Sequence, residues 1–434
     1  MGIWSRMERW AEEGNEARVA VVGSGFVGRG LVHRLERSSG MRPALVVNRT
    51  VASAVSAYDA ARREPGRVVV SDDPDVLSEA IGAGIPAVTA SFDAIEEIEA
   101  IDVVVEATGA IDEGAGVVLG ALESGKHVVS MNAEVDATIG HLIHSVAARS
   151  GSVYTISDGD QPGVLLRHIE FARGLGFEIA VAVNCKRNLD VHQTPESGRA
   201  YATRDNTSEL MTTAFGDGTK MNIENAVVAN VTGLVPDRRG MHGVRTTLST
   251  VVGDLLRVLS RTQVVDYTLG GDFAAGVGVI AHTDDPETVG PYMRYFKLGD
   301  GPDYFLFRPY HLVHLEAPVT IAEVVLDRIP LATPRGAPVA EVVALAKRDL
   351  EPGDQLDGIG GFTCYGQIDT AERSRGLLPI GLASHAGVVR PIRADDPISL
   401  DDVELDLEAP IVKLRRRQDA MAEGRIEVGS LAAH

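Results

Sequence analysis

"RVAVVGSGFVGRGLVHRLERS", residues 18–38, is the stretch whose reading decides the fold. Val19 to Val22 form an apolar run that reads as a buried strand, and a glycine turn follows at once. Gly23, Gly25 and Gly28 stand in the spacing G-x-G-x-x-G, with Phe26 and Val27 between the last two. The first glycine permits a tight turn, the second lets backbone approach a pyrophosphate, and the third lets the helix pack on the strand. The N-terminus of that helix then faces the anion. A strand before the motif and an amphipathic helix after it give the glycines the context that a dinucleotide site requires.

The next strands extend the same reading. "PALVVNRT", residues 43–50, ends at Asn48, Arg49 and Thr50. An NAD site places a carboxylate here, about twenty residues beyond the glycines, for the ribose hydroxyls. An arginine in its stead suits a 2′-phosphate and can stack on adenine, so the pattern predicts NADP(H) in preference to NAD(H). "IDVVVEATGA", residues 101–110, brings Ala107, Thr108 and Gly109 to the carboxyl end of a third strand, where doubly wound sheets bind ligands. "VLGALESGKHVVSMN", residues 118–132, supplies a helix and a strand that ends at Asn132. Asn132 reads equally well as a cofactor contact and as the cap of the helix that follows it. Glu134, just beyond, is expected in the substrate pocket.

The bulk numbers bound the rest. A chain of 434 residues predicts two or three domains. A net charge of −20 argues against a nucleic-acid partner or an anionic membrane surface, while leaving room for an anionic small substrate held by a local basic cluster. Two cysteines, Cys185 and Cys364, make neither a disulfide framework nor a four-cysteine zinc site. No apolar run is long enough for a membrane span or a signal peptide, so a cytoplasmic location is expected. No convincing metal cluster stands out.

The middle of the chain carries the chemistry-bearing residues. "DGDQPG", residues 158–163, puts Asp160, Gln161 and Pro162 in a turn that opens a helix. An apolar strand over 178–184 runs out to Lys186, followed by Asn188, His192 and Thr194, which suggests a polar site at a sheet edge. "FGDGTKMNIENAVVANVTGLVPDRRGMHG", residues 215–243, places Asp217 and Lys220 before a helix, with Glu224 one turn beyond Lys220 on the same face, and ends near His242. A new module begins after the proline-rich stretch 330–338 and contains Lys347 in "AKRDL".

In combination, "GSGFVG", "EATG", "VVSMN", "DGDQPG", "FGDGTK", "ANVTGL", "RGMHG" and the run "GPYMRYFKLGDGPDYFLFRPYHLVHLEAP" resemble the homoserine dehydrogenase-like oxidoreductases that carry a C-terminal SAF domain. The resemblance spans nearly the whole chain. It implies an α/β fold with an N-terminal Rossmann domain at 1–155, an α+β substrate and oligomerisation domain at 156–330, and a small β-rich SAF domain with a C-terminal helix at 331–434. One branch of the family is similar in activity to deoxyxylulose phosphate reductoisomerase, which implies NADPH reduction coupled to rearrangement of a ketose phosphate. Homoserine dehydrogenases proper carry asparagine and then lysine after the strand that ends here at Asn132. This chain has Ala133, so homoserine is not the expected substrate.

These readings converge on an NADP-dependent oxidoreductase acting on a small polar oxo or hydroxy compound, in a homodimer or homotetramer. Lys186 and Lys220 are expected to polarise the substrate oxygen and transfer the proton, Asp217 to orient or pair with a lysine, and Glu224 to act as base or ion-pair partner. Glu134, Asp160, Gln161, Pro162, Asn188 and His242 are expected to line the substrate pocket. Arg187 and Arg204 would join Lys186 on a phosphate ester. Lys347 is expected to lie outside the reaction centre. A reductoisomerase, a plain homoserine or sugar-acid dehydrogenase, and a non-catalytic NADP-binding regulator are the three function classes left open.

Overall fold

The apolar run before the glycines forms β1, Ala17–Val22, in the interior of a parallel sheet. The computed structural model describes residues 2–61, 67–273, 276–334 and 336–425; residues 426–434, the end of the expected C-terminal module, lie outside them. The other strands of this sheet are β2 (Met41–Val47), β3 (Val69–Val70), β4 (Ala87–Thr89), β5 (Val103–Glu106), β6 (His127–Ser130) and β7 (Tyr154–Ile156). Their order is β3-β4-β2-β1-β5-β6-β7, with every pair parallel. Parallel strands are covered on both faces, which is why β1, β2 and β5 read as valine-rich runs rather than alternating ones. The chain winds outward from β1 through β2, then returns past β1 to β5. A crevice must open at the carboxyl ends where that direction reverses.

The described residues fall into two compact units, one within 1–163, 312–333 and from 423 on, the other within 164–311 and 334–422. The core of the first gathers Val19, Val21, Leu31, Leu35, Val46 and Tyr58. The helix Val313–Asp327 joins it with Ala317, Ile321 and Val324. That returning segment is also pinned by polar bonds. The Asp158 backbone N–H donates to Thr320 Oγ1 at 2.8 Å, and the Leu331 N–H donates to Thr155 Oγ1 at 2.9 Å.

The second unit is built on β8, Glu178–Lys186. The further strands of its sheet are β9 (Val235–Pro236), β10 (Val244–Arg245), β11 (Val264–Leu269), β12 (Val277–His282) and β13 (Asp303–Arg308). The order is β10-β11-β8-β12-β13, with β9 on β11; β11 runs parallel to β8 and β12 antiparallel. Period-two alternation sends Val181, Val183 and Cys185 into an apolar core and leaves Asn184 and Lys186 for the other face.

The helix Thr219–Thr232 is buried without interruption from Thr219 to Ala229, polar residues included. Those polar residues have a use. β14 (Ala340–Ala346) pairs antiparallel with β15 (Cys364–Thr370), and the outer edge of β15 would leave backbone donors unmet. Thr219 Oγ1 accepts from the Gly366 N–H at 2.8 Å, and Asn222 Oδ1 accepts from the Ile368 N–H at 2.9 Å. Two side chains of a helix thus substitute for a neighbouring strand. A short antiparallel pair, β16 (Ala386–Val388) with β17 (Val403–Leu405), and the helix Pro410–Ala422 complete the unit. Among the described residues no helix is long and apolar enough to cross a membrane.

Arg415 on that last helix is deeply set and forms an ion pair with Glu341 of β14 and a second, 2.8 Å long, with Asp419. Arg415→Met would strand the buried Glu341 carboxylate. It is expected to cost about 3 kcal/mol, the usual penalty for breaking a buried pair from one side, read as a lower urea midpoint.

Candidate active site

The three motif glycines do three different things. Gly23 turns with φ +97°, and a Cβ there would sit 2.8 Å from the Ala107 carbonyl oxygen at the end of β5. A Cβ on Gly28 would fall 1.9 Å from the Gly23 oxygen, so the helix Phe26–Leu35 lies directly on the turn. A Cβ on Gly25 would meet nothing within 4 Å. The backbone at Gly25 therefore faces open space at a helix N-terminus, which is the geometry an anion such as a pyrophosphate requires. A cleft of about 240 Å³ opens here, lined by Gly23, Ser24, Asn48, Arg49, Thr108 and Glu113 among others. Its residues fit a nicotinamide dinucleotide.

Several of the expected cofactor residues build the cleft rather than offer it a free group. Asn48 Oδ1 accepts from the Ser24 N–H at 3.1 Å while its Nδ2 donates to the Thr50 carbonyl at 3.0 Å, a latch between β2 and the glycine turn. Val27 packs against the core, and Phe26 is exposed with the His314 ring edge-on at 6.0 Å. Asn132 caps the helix Ala133–Ser150 by accepting from the Val135 N–H at 3.2 Å, and its amide donates to the Ala110 carbonyl at 2.8 Å. Ala133 and Glu134 are buried in the first turn of that helix. Gly109 has φ +69°, turning the chain after Thr108. Arg49 is left outward-facing, 3.1 Å from Glu113.

Glu106 escaped the sequence reading. It ends β5 fully buried, and its carboxylate accepts from the Thr108 N–H at 2.8 Å and from the Thr108 hydroxyl. Burial drives its pKa from an ordinary 4.5 up to about 7, against the hydrogen bonds from Thr108 and Asn132. An acid inside "VVVEATG" was the available signal, since a carboxylate in an apolar strand must either hold a partner or stay protonated.

In the second unit β8 and the helix Thr219–Thr232 bring Asn184, Lys186 and Glu224 together. Glu224 is buried; its Oε2 accepts from Asn184 Nδ2 at 3.1 Å and lies 3.7 Å from the Lys186 ammonium. Lys186 sits over the Phe215 ring at 5.6 Å. Lys220 is buried on the helix that carries Glu224. A cation beside a carboxylate that an amide fixes, at the end of a strand, can donate to a carbonyl oxygen and pass a proton.

Asp217 was expected to orient or pair with a lysine, and a lysine that it meets is Lys347, at the end of β14. The Lys347 ammonium stands 2.8 Å from Asp217 Oδ2 and donates at 2.7 Å to the carbonyls of both Gln193 and Gly361. Buried among these oxygens, Lys347 is a clamp. Burial pushes the Asp217 carboxyl upward and the Lys347 charge opposes this.

The remaining candidates disperse. His242 Nε2 is 2.9 Å from Asp237 Oδ2, and its backbone N–H donates to the buried Asp266. Its ring is held by a carboxylate rather than turned to a ligand. Desolvation works against the Asp237 charge, but hydrogen bonds from Ser260 and His242 prevail and hold it at about 2. Arg187 and Asn188 are exposed, and Arg204 is occupied by the adjacent Asp205 at 2.6 Å. Gln161 and Pro162 are buried at the start of the helix Gln161–Gly174, with Asp160 partly exposed before it. His192 Nδ1 lies 3.1 Å from the Lys347 carbonyl oxygen, and Thr194 caps the helix Pro195–Asp205. Among the described residues no group of three or more His, Cys, Asp or Glu side chains is placed to hold a metal ion.

Residues 23–156 match the family model described as homoserine dehydrogenase, NAD binding domain. Residues 159–317 match the one described as oxidoreductase DRL, catalytic domain. No curated protein matches the chain. Among solved structures the chain is similar to a probable dehydrogenase from Thermotoga maritima, at 10% identity and TM-score 0.41 over 72% of this chain and 90% of that one. It is also similar to a DOX-P reductoisomerase solved with fosmidomycin and magnesium, at 14% identity and TM-score 0.41 over 72% and 70%. A third is the scyllo-inositol dehydrogenase of Lactobacillus casei with bound NAD(H) and scyllo-inositol, at 13% identity and TM-score 0.32 over 62% and 67%.

Glu106 leaves a signature in stability. Between pH 4.5 and about 7 the unfolded chain has released this proton and the folded chain keeps it, so stability from this group is full below 4.5 and falls as pH rises. The whole effect is about 3 kcal/mol. Glu106→Gln is expected to flatten that part of the stability–pH curve, measured by urea denaturation at a series of pH values.

Proposed function

We propose that this chain, an NAD-binding domain of homoserine dehydrogenase type followed by an oxidoreductase catalytic domain, is an NADP-dependent oxidoreductase of a small polar oxo or hydroxy compound. The observation that carries the reading is the Asn184–Lys186–Glu224 cluster, a lysine ammonium 3.7 Å from a buried carboxylate, inside the segment that matches the catalytic domain. A nicotinamide held at the glycine turn supplies hydride chemistry. The chain supplies the rest. Lys186 donates to the substrate oxygen and stabilises charge developing there, Glu224 holds the ammonium in place, and Asn184 fixes the carboxylate. Lys220, one turn before Glu224, adds a second buried cation. Asp217 and Lys347 hold the start of this helix and the C-terminal strands together.

Arg49 supports NADP(H) over NAD(H), because β2 ends in a guanidinium where a ribose-binding carboxylate would stand. Arg49→Ala is expected to weaken NADPH by roughly 1 to 3 kcal/mol and to leave NADH nearly unchanged, measured by calorimetric titration. Equal losses for both cofactors, or a native preference for NADH, would overturn the assignment.

A screen of NADPH oxidation against ketose phosphates, oxo acids and sugar acids identifies the substrate. With it, Lys186→Met is expected to lower turnover about 10²-fold with NADPH affinity little changed, as for a charge used mainly in the transition state. Full activity would remove Lys186 from the mechanism. Lys347→Met is expected to act differently: it leaves Asp217 buried without its cation and lowers the urea midpoint. Homoserine is expected to be a poor substrate, since Ala133 is buried where the family lysine would stand; turnover on the order of 10 per second would contradict this.

A further inference from the structure

Arg49 is not idle in the cleft. It reaches from the end of β2 to Glu113, in the first turn of the helix Ile111–Glu123, and both side chains line the same opening as Ser24 and Asn48. We propose that Glu113 is a specificity-determining residue of this site, competing with the 2′-phosphate of a dinucleotide for the Arg49 guanidinium and so setting the ratio of NADP(H) to NAD(H) affinity. The proposal deepens the NADP reading above and rests on it.

The charges argue for competition. A 2′-phosphate and the Glu113 carboxylate are both anions and both seek the same planar fork of donors. Binding the phosphate therefore means separating the pair at 3.1 Å and bringing a second anion near Glu113. A 2′-hydroxyl does neither, and it can donate to the carboxylate. Glu113 thus penalises one ligand and tolerates the other, which is how a site acquires selectivity by discouraging a rival. The pair is weak enough to be displaced. Arg49 is 75% exposed and Glu113 38%, and surface pairs of that kind contribute only about 0.2–1 kcal/mol. The carboxylate is nonetheless well placed to persist, since an acid in a first turn is favoured by the helix dipole.

The test is calorimetric titration of the full chain with NADPH, NADH and the fragment 2′,5′-ADP. Four proteins are compared: wild type, Glu113→Gln, Arg49→Ala and the double variant. Glu113→Gln is expected to tighten NADPH and 2′,5′-ADP on the order of five-fold while NADH binding stays level or weakens. In the Arg49→Ala background most of that gain should vanish, a coupling that a double-mutant cycle reads directly. An unchanged NADPH-to-NADH ratio in Glu113→Gln, with Arg49→Ala still selective against NADPH, would overturn the role of Glu113 and leave the NADP reading standing. Equal loss of both cofactors in Arg49→Ala would instead overturn the reading of Arg49 and the proposal with it. A full gain persisting without Arg49 would show simple charge repulsion and overturn the competition. Unchanged melting temperatures across the four proteins confirm that the differences are in binding, as expected for exposed side chains.

Discussion

The contact that the first unit depends on is the one between two glycines. A Cβ on Gly28 would lie 1.9 Å from the Gly23 carbonyl oxygen, so no side chain fits between helix and turn. That close approach seats the helix on the strand and aims its first N–H groups at the space beyond Gly25. It also sets the width of the cleft. The latch from Asn48 to the Ser24 N–H, and the packing of Gly23 against the Ala107 carbonyl, hold the neighbouring strand ends in register with the turn. The cleft is therefore a consequence of backbone proximity, and its selectivity is left to the side chains at its mouth.

The second unit resolves a different constraint, the burial of charge. Its buried helix carries Lys220, Glu224 and several uncharged polar residues among its apolar ones. Burying such groups is costly unless partners meet them. Thr219 and Asn222 complete the edge of β15, and Asp217 meets Lys347 beside the helix start. Asp217 with Lys347 and Glu224 with Lys186 are ion pairs that differ in kind. The Lys347 ammonium is enclosed by the Asp217 carboxylate and the carbonyls of Gln193 and Gly361. The Lys186 ammonium stands 3.7 Å from its carboxylate, with part of its surface open. Enclosure makes the first a clamp, and partial exposure leaves the second within reach of a substrate.

Much of this was legible beforehand. The G-x-G-x-x-G spacing after an apolar run determined the strand, turn and helix, because only glycine permits those backbone approaches. The valine runs determined parallel, doubly covered strands, and the polar stop after 178–184 pointed to Lys186. What the sequence could not supply was pairing across distance. Lys186 and Glu224 are joined by sheet–helix packing, Asp217 and Lys347 are 130 residues apart in the chain, and Arg49 meets Glu113 only because the sheet lays the end of β2 beside the start of the helix after β5. His242 looked like a ligand group until Asp237 was seen against its ring. Local spacing reports what a residue can do along its own helix or strand. Which charges become partners was decided by tertiary packing, because a buried ion must find whatever counter-charge the fold brings within reach.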